Sequence, residues 1–180
     1  MNNTAMWARK IARQHLEESL PRRWAHTKGV AGQARSLAPL LGCQADLLEG
    51  AAWLHDIGYA PDLVETGFHP LDGARYLRDA HNAQPALCQL VAHHSCAILE
   101  ARERGLSDTL TQEFPPADPH LSRALTYCDM TTTPDGAPVD VKTRLAEIRN
   151  RYGPGSLVTR FIDHAEPQLT DAVRSIQDRK

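Results

Sequence analysis

His55 and Asp56 stand side by side at the end of an apolar helical stretch, and Ile57-Gly58 follows them directly. The stretch is predicted to run from about residue 45 to residue 56, so the pair lies where a buried helix ends. A carboxylate beside an imidazole is costly in an apolar interior unless both are paired, hydrogen-bonded or bound to a metal. This pair therefore predicts a helical fold built around a polar centre.

The spacing of apolar residues is helical almost throughout the chain, and no stretch alternates convincingly at a period of two residues. Pro21, Pro70 and Pro85 suit the first position of a helix. The predicted helices cover residues 4–20, 21–41, 45–56, 70–80, 85–105 and 120–130, and a helical tail follows. Residues 58–68 and 114–119 are predicted to be irregular. We therefore predict an all-α fold.

Composition narrows the class of protein. The net charge is −2 and the sequence pI is about 6.5, which argues against a surface that coats nucleic acid. No run of 18 or more apolar residues exists, so no membrane partner is expected. The four cysteines are scattered and form no C-x-x-C pair. They indicate reduced packing residues in a cytoplasmic protein.

His26 and Asp129 join the central pair as predicted metal ligands. His26 lies in the middle of a predicted helix, and Asp129 lies near the end of another. Adjacent helical residues point about 100° apart, so His55 and Asp56 can approach an ion from different angles. The Asp56 carboxylate has two oxygens and can also bridge to a second ion. Two nitrogens and two oxygens suit manganese, iron, nickel, zinc or magnesium.

Two further positions carry histidines. His69 precedes Pro70, and a residue before proline is pushed out of the helical region, so His69 is predicted at the mouth of a helix facing the cleft. His93 and His94 stand together in the next predicted helix.

The pattern H…HD…D, with HDIG as it stands here, resembles the HD-domain metal-dependent phosphohydrolase superfamily over about residues 22–135. The resemblance implies that His26, His55, Asp56 and Asp129 hold one metal. It also implies an HD-domain helical bundle. The length of 180 residues, with no linker long enough to divide it, predicts a single domain over residues 1–180. We expect a metal-binding core at about 22–135 and a C-terminal helical extension at about 138–178.

Members with a second metal have a histidine that opens the helix after HD and another on the following helix. The chain is similar to YqeK-like dinucleoside tetraphosphate hydrolases, and that resemblance favours His94 as the ligand. It is also similar to HD-GYP phosphodiesterases, which often use both members of a His-His pair, so His93 remains a candidate ligand. The GYP signature is missing, since Ser95-Cys96-Ala97 stands there, so cyclic-di-GMP hydrolysis is not expected. Tyr59 stands where many of these hydrolases place a lysine.

The resemblance implies a phosphohydrolase that cleaves a phosphomonoester, phosphodiester or pyrophosphate bond with a metal-activated water. Asp56 and His55 would be catalytic, with two divalent transition-metal ions drawn from iron, manganese, nickel and zinc. Arg22 and Arg23 lie on the helical face of His26. They are candidates to bind the substrate phosphate, and the alternative is that they are solvated side chains of the first helical turn. The expected partner is a small phosphorylated substrate, such as a nucleotide, and not a nucleic acid; a homodimer stays open.

Two alternatives follow from the same residues. Some HD-fold proteins with this ligand pattern hold two irons and cleave a C–H or C–P bond with oxygen. The other alternative is a regulatory module that binds metal without turnover. The complete ligand set argues against this alternative.

Overall fold

The computed structural model describes residues 4–180, and these are helical almost throughout. The helices are α1 (Thr4–Leu16), α2 (Pro21–Ser36), α3 (Ala38–Leu41), α4 (Ala45–Leu54), α5 (His69–His81), α6 (Pro85–His93), α7 (Ala97–Glu103), α8 (Ser107–Glu113), α9 (Pro119–Met130), α10 (Val141–Tyr152) and α11 (Leu157–Gln177). Within that part of the chain, β pairing is limited to one isolated bridge between Thr132 and Pro138. The prediction of an all-α fold is confirmed.

Prolines begin five of these helices. Pro21, Pro39, Pro70, Pro85 and Pro119 each occupy one of the first two helical positions, where the missing N–H group would have no partner inside the helix. The predicted starts at Pro21, Pro70 and Pro85 are confirmed to within one residue, since α5 begins at His69.

Helix α4 lies at the centre of the fold and packs against α1, α2, α6 and α9. The second half of α4 is buried from Leu48 to Leu54, apart from the half-buried Glu49. Buried apolar side chains from α1 through α11 form one continuous core. Because His55 and Asp56 follow α4 directly, this packing carries both polar side chains into the middle of the molecule.

Two predicted helices are divided in the structure. The helix predicted over 21–41 ends early, because Pro39 has no N–H to continue the hydrogen-bond ladder, and a short helix follows. The helix predicted over 85–105 breaks at residues 94–96, where Ser95 and Cys96 have φ values of 47° and 62°. Those left-handed conformations cannot belong to a continuous α-helix.

The C-terminal helices pack on the rest of the fold through α11, which contacts α7, α9 and α10. Gly153 and Gly155, both with positive φ, flank Pro154 between α10 and α11. Helix α8 was not anticipated from the sequence. The division of the chain into a core at 22–135 and an extension at 138–178 stays a prediction. Among residues 4–180, every helix is too short or too polar to cross a membrane.

Candidate metal centre

His26, His55 and Asp129 form a first group of buried potential ligands. One ligand atom from each lies within 4.8 Å of the others. His26 comes from the middle of α2, His55 follows α4, and Asp129 lies near the end of α9. His26 Nε2 is 3.1 Å from Asp129 Oδ1. Three helices thus converge on a space with two nitrogens and one carboxylate oxygen.

Asp56, His69 and His94 form a second group by the same geometric measure. His69 Nε2 lies 3.3 Å from Asp56 Oδ1 and 3.1 Å from His94 Nε2. His69 opens α5, and His94 follows α6 directly. This group contains one carboxylate oxygen and two imidazole nitrogens.

Asp56 lies between the two groups. Its Oδ2 is 3.5 Å from His55 Nε2 and 3.9 Å from His26 Nε2. Its Oδ1 faces the other way, toward His69 and, at 3.9 Å, toward His94 Nε2. A carboxylate has enough lone pairs to serve both sides, so this arrangement has the form of a bridging ligand.

Backbone carbonyls fix the ring orientation of three histidines. His26 Nδ1 lies 2.9 Å from Thr133 O, His55 Nδ1 lies 2.8 Å from Ala52 O, and His94 Nδ1 lies 2.7 Å from Val91 O. A carbonyl can only accept, so each Nδ1 carries the proton and donates it. At His55 and His94, Nε2 is therefore free to present a lone pair to the centre, which is the tautomer that a metal ligand needs. His26 Nε2 lies 3.1 Å from Asp129 Oδ1 and donates to it, so a bound ion would take the place of the proton between these two atoms.

His55 Nε2 provides a test of whether an ion fits. This atom is fully buried and has no hydrogen-bond partner among the described residues. Burial lowers the pKa of His55 to about 4, so the ring is neutral near pH 7. A buried lone pair without a donor is costly, and a divalent cation would satisfy it. The donor set of imidazole nitrogens and carboxylate oxygens suits manganese, iron, nickel or zinc.

Both carboxylates are ionised in spite of their burial. Burial alone would raise the pKa of Asp56, but the charge of Arg23 and the nearby His55 and His69 outweigh it and hold the pKa well below its ordinary value. At Asp129, burial is likewise outweighed, chiefly by the hydrogen bond from His26, and the pKa is also well below its ordinary value. Two buried anions close together favour bound cations.

Arg23 and Tyr59 form a stack beside the second group. Arg23 Nη1 donates to Asp56 Oδ2 at 2.6 Å, and its guanidinium lies 3.7 Å from the centre of the Tyr59 ring. The other face of that ring stacks on His69, with 3.9 Å between ring centres. Arg23 therefore places a cation at the centre, although Tyr59 stands where related hydrolases often have a lysine.

Two glycines allow the elements to approach this closely. A Cβ at Gly29 would lie 2.4 Å from Gly136 O, so only glycine admits the turn that carries the Thr133 carbonyl to His26. A Cβ at Gly58 would lie 2.1 Å from His69 O and so would push the start of α5 away. Both distances are far below van der Waals contact.

The structure brings six of the predicted ligands together and leaves one apart. His93 belongs to neither group, and its Nε2 lies 2.8 Å from Phe114 O. The geometry therefore favours His94. Arg22 is mostly exposed and pairs with Asp135 at 2.9 Å, whereas its neighbour Arg23 lines the centre.

Some residues that line the cleft were not predicted from the sequence. Ser95 donates a hydrogen bond to Asp129, which depends on a helix break that the sequence does not signal. Arg144, Ile148 and Arg151 of α10 line the cleft. Their spacing of four and three residues places them on one helical face. That mixture of basic and apolar side chains on one face was the feature of the sequence that could have identified them.

This region of the chain is similar to known proteins. The sequence profile of the HD domain matches residues 23–133, a span that includes all six converging ligands. Ribonuclease Y of Rubrobacter xylanophilus is 34% identical over 70 residues, which make up 39% of this chain and 14% of that protein. The chain therefore spans only a small part of that relative's length. No solved structure matches the chain.

Proposed function

The chain belongs to the HD-domain family, a superfamily of metal-dependent phosphohydrolases, and we propose that it hydrolyses a phosphomonoester, phosphodiester or pyrophosphate bond in a nucleotide or another small phosphorylated metabolite. The observation that carries this proposal is the position of Asp56 between two groups of ligands. The two oxygens of its carboxylate face different groups, at 3.3 Å from His69 Nε2 and 3.5 Å from His55 Nε2.

We propose that His26, His55 and Asp129 hold one ion, that His69 and His94 hold a second, and that Asp56 bridges them. When bound, such ions would generate a nucleophile from water at neutral pH and clamp the phosphoryl oxygens. The protein contributes the fixed tautomers of its histidines and the burial of the ligands, because a dry and preorganised site strengthens electrostatic interactions.

Arg23 is proposed to contact the substrate phosphate. One of its N–H groups binds Asp56, and a guanidinium has five in all. The stack on Tyr59 holds the guanidinium in place. The remaining donors are therefore available to phosphate oxygens at the edge of the metal centre.

Apolar side chains form part of the wall of the proposed metal cleft. Ile148 of α10 and Phe161, Ile162 and Leu169 of α11 line the same cleft as Asp56 and His94. A cleft lined by a few polar ligands together with apolar side chains is typical of sites for small organic molecules. This wall supports a substrate with an organic group attached to the phosphate.

A screen of phosphate compounds tests the proposal. The purified protein is assayed with nucleoside mono- and diphosphates, dinucleoside polyphosphates, sugar phosphates and a short oligoribonucleotide, the last because the similar Ribonuclease Y is named for RNA. Bound metals are measured on the same sample by elemental analysis. We expect hydrolysis of at least one compound, with equal rates in air and under nitrogen.

Asp56→Asn is the decisive variant, and Asp171→Asn, at an exposed position of α11, is its matched control. Residues that merely orient a metal ligand typically contribute 10–100-fold to activity, so we expect a loss above about 100-fold in Asp56→Asn and none in the control. Full activity in Asp56→Asn would refute the proposed mechanism. Turnover that stops without oxygen would instead favour an iron oxygenase.

A further inference from the structure

A second cavity of about 280 Å³ adjoins the metal cleft. It lies between the start of α2, the turn at Pro134 and α10. Arg22, Arg23, Arg144 and Arg151 line it, and the described residues of its wall include no carboxylate. Their carboxylate partners lie outside the wall: Asp135 for Arg22, Asp56 for Arg23, and Glu147 for both Arg144 and Arg151. Four cations thus share three carboxylates, and this excess of positive charge favours an anionic ligand.

Arg144 is the clearest sign that a ligand belongs there. Its side chain is only 7% exposed, and its Nε has no hydrogen-bond partner among the described residues. Its Nη1 donates to Glu147, which also lies 3.5 Å from Arg151 Nε. One carboxylate thus serves two buried or half-buried cations. A buried guanidinium donor without an acceptor is costly. A phosphate in the cavity would supply an acceptor if the Arg144 side chain rotated toward it, since Nε itself is closed off from solvent.

The start of α2 adds to the positive potential of the cavity. Pro21 lies in the first turn of this helix, and no described side chain caps that turn. Leu20, Pro21 and Arg22 line the cavity, so the free N–H groups of the first turn are near it. The N-terminus of a helix carries a partial positive charge that favours anions.

The cavity and the metal cleft are neighbours that share part of their walls. Arg23, His26, Arg144 and Arg151 line both. A substrate that extends past these shared side chains would have one group at the metal centre and another among the arginines. Two of these arginines lie on α10, beyond the span 23–133 that matches the HD domain.

We propose that this cavity binds a second phosphate group of the substrate, so that the protein acts on compounds that carry two phosphates and discriminates against monophosphates. The proposal rests on the proposed function for the metal cleft. It narrows the substrate class to nucleoside diphosphates, bisphosphates and similar doubly phosphorylated metabolites. The ion pair with Glu147 alone leaves Arg144 Nε without an acceptor among the described residues.

A binding experiment on the full chain, as purified with its metal, tests the anion site. Calorimetry compares methylphosphonate with methylenediphosphonate and propane-1,3-diphosphonate, none of which is a substrate for phosphate-ester hydrolysis. We expect at least one diphosphonate to bind about 10-fold or more tightly than methylphosphonate, which corresponds to one charge-assisted hydrogen bond.

Arg151→Gln should abolish that gain, because it removes a cation of the cavity. Arg149→Gln is the matched control, since Arg149 lies on the same helix but pairs with Asp163 and Glu166. Arg144→Lys, which keeps the buried charge, should reduce the gain by loss of the guanidinium fork. A gain that is equal in Arg151→Gln and wild type would overturn the proposal, since it would come from chelation at the metals. Two independent methylphosphonate sites with no gain for either diphosphonate would also overturn it.

Turnover separates this inference from the proposed function. The ratio of kcat/KM for adenosine diphosphate or adenosine 3′,5′-bisphosphate to that for adenosine monophosphate should exceed about 10 and fall toward one in Arg151→Gln. Hydrolysis with equal preference in all variants would overturn the inference and leave the proposed function intact. Failure to hydrolyse any ester, with the diphosphonate gain retained, would overturn the proposed function and support the anion site.

Discussion

At the scale of single residues, the site depends on side chains that hold other side chains in place. Tyr59 stacks on His69 with 3.9 Å between ring centres and lies 3.7 Å from the Arg23 guanidinium. Neither contact uses the phenol oxygen. The ring, and not the hydroxyl, is therefore expected to orient the histidine that opens α5.

Tyr59→Leu should weaken metal binding, because His69 would lose the flat surface that fixes its ring. We expect an affinity about 10-fold lower, which is typical when a group that orients a metal ligand is removed. Tyr59→Phe keeps the stack and should bind metal like the wild type. Titration of the metal into both variants measures this, and equal weakening in the two would show that the hydroxyl matters instead.

Most of the predicted ligands could be recognised from the sequence because each has an unusual neighbourhood. His55 and Asp56 interrupt an apolar helix, and His69 precedes a proline. The choice between His93 and His94 could not be made in the same way. It depends on the backbone after α6, where His94 has φ −60° and ψ 149° and so leaves the helix.

At the scale of elements, the short helical turn Ile57–Tyr59 packs directly on the start of α5. A Cβ at Gly58 would lie 2.1 Å from His69 O and 2.6 Å from Gly73 N. Because both neighbours are backbone atoms, they cannot move without shifting α5. The close approach of these two elements is what brings His69 to Asp56.

Gly58→Ala should destabilise the fold by roughly 1–3 kcal/mol, the usual cost of overpacking, and should also weaken metal binding. Gly32→Ala is the control, since a Cβ there meets nothing within 4 Å and alanine favours a helix by up to about 1 kcal/mol. Urea unfolding of both variants gives the comparison. A Gly58→Ala protein as stable as the wild type would contradict the described packing.

The boundaries of elements were predicted well where a proline marks them and poorly where none does. Pro21, Pro70 and Pro85 give the starts of three helices. The break between α6 and α7 contains no glycine or proline. Ser95 and Cys96 adopt the left-handed conformation there instead. Contacts with distant residues, such as that of Ser95 with Asp129, hold that conformation, and local sequence does not encode them.

At the scale of the whole molecule, burial of the ionisable ligands makes stability depend on pH. Burial lowers the pKa of His55 from 6.5 to about 4, and burial also lowers the pKa of His69. Between about pH 6.5 and about pH 4, the unfolded chain therefore binds more protons at His55 than the folded chain does. Stability must fall as the pH is lowered through that range.

Asp56 and Asp129 act in the same direction at lower pH, because their folded pKa values are below the ordinary 3.8. We predict that the urea midpoint of the metal-free protein falls steadily from about pH 6.5 to about pH 4. Added metal should raise the midpoint at neutral pH, and this gain should vanish in acid, since the ligands must be deprotonated. A midpoint that stays constant over the range would contradict the burial of neutral His55.

Anomalous diffraction from crystals grown with Mn²⁺ tests the central claim most directly, because it locates each ion against the ligands. The account predicts two peaks, about 3.5–4 Å apart as in other two-metal sites, on either side of the Asp56 carboxylate. His26, His55 and Asp129 should contact one peak, and His69 and His94 the other. A single peak, or peaks away from Asp56, would contradict a centre bridged by that residue.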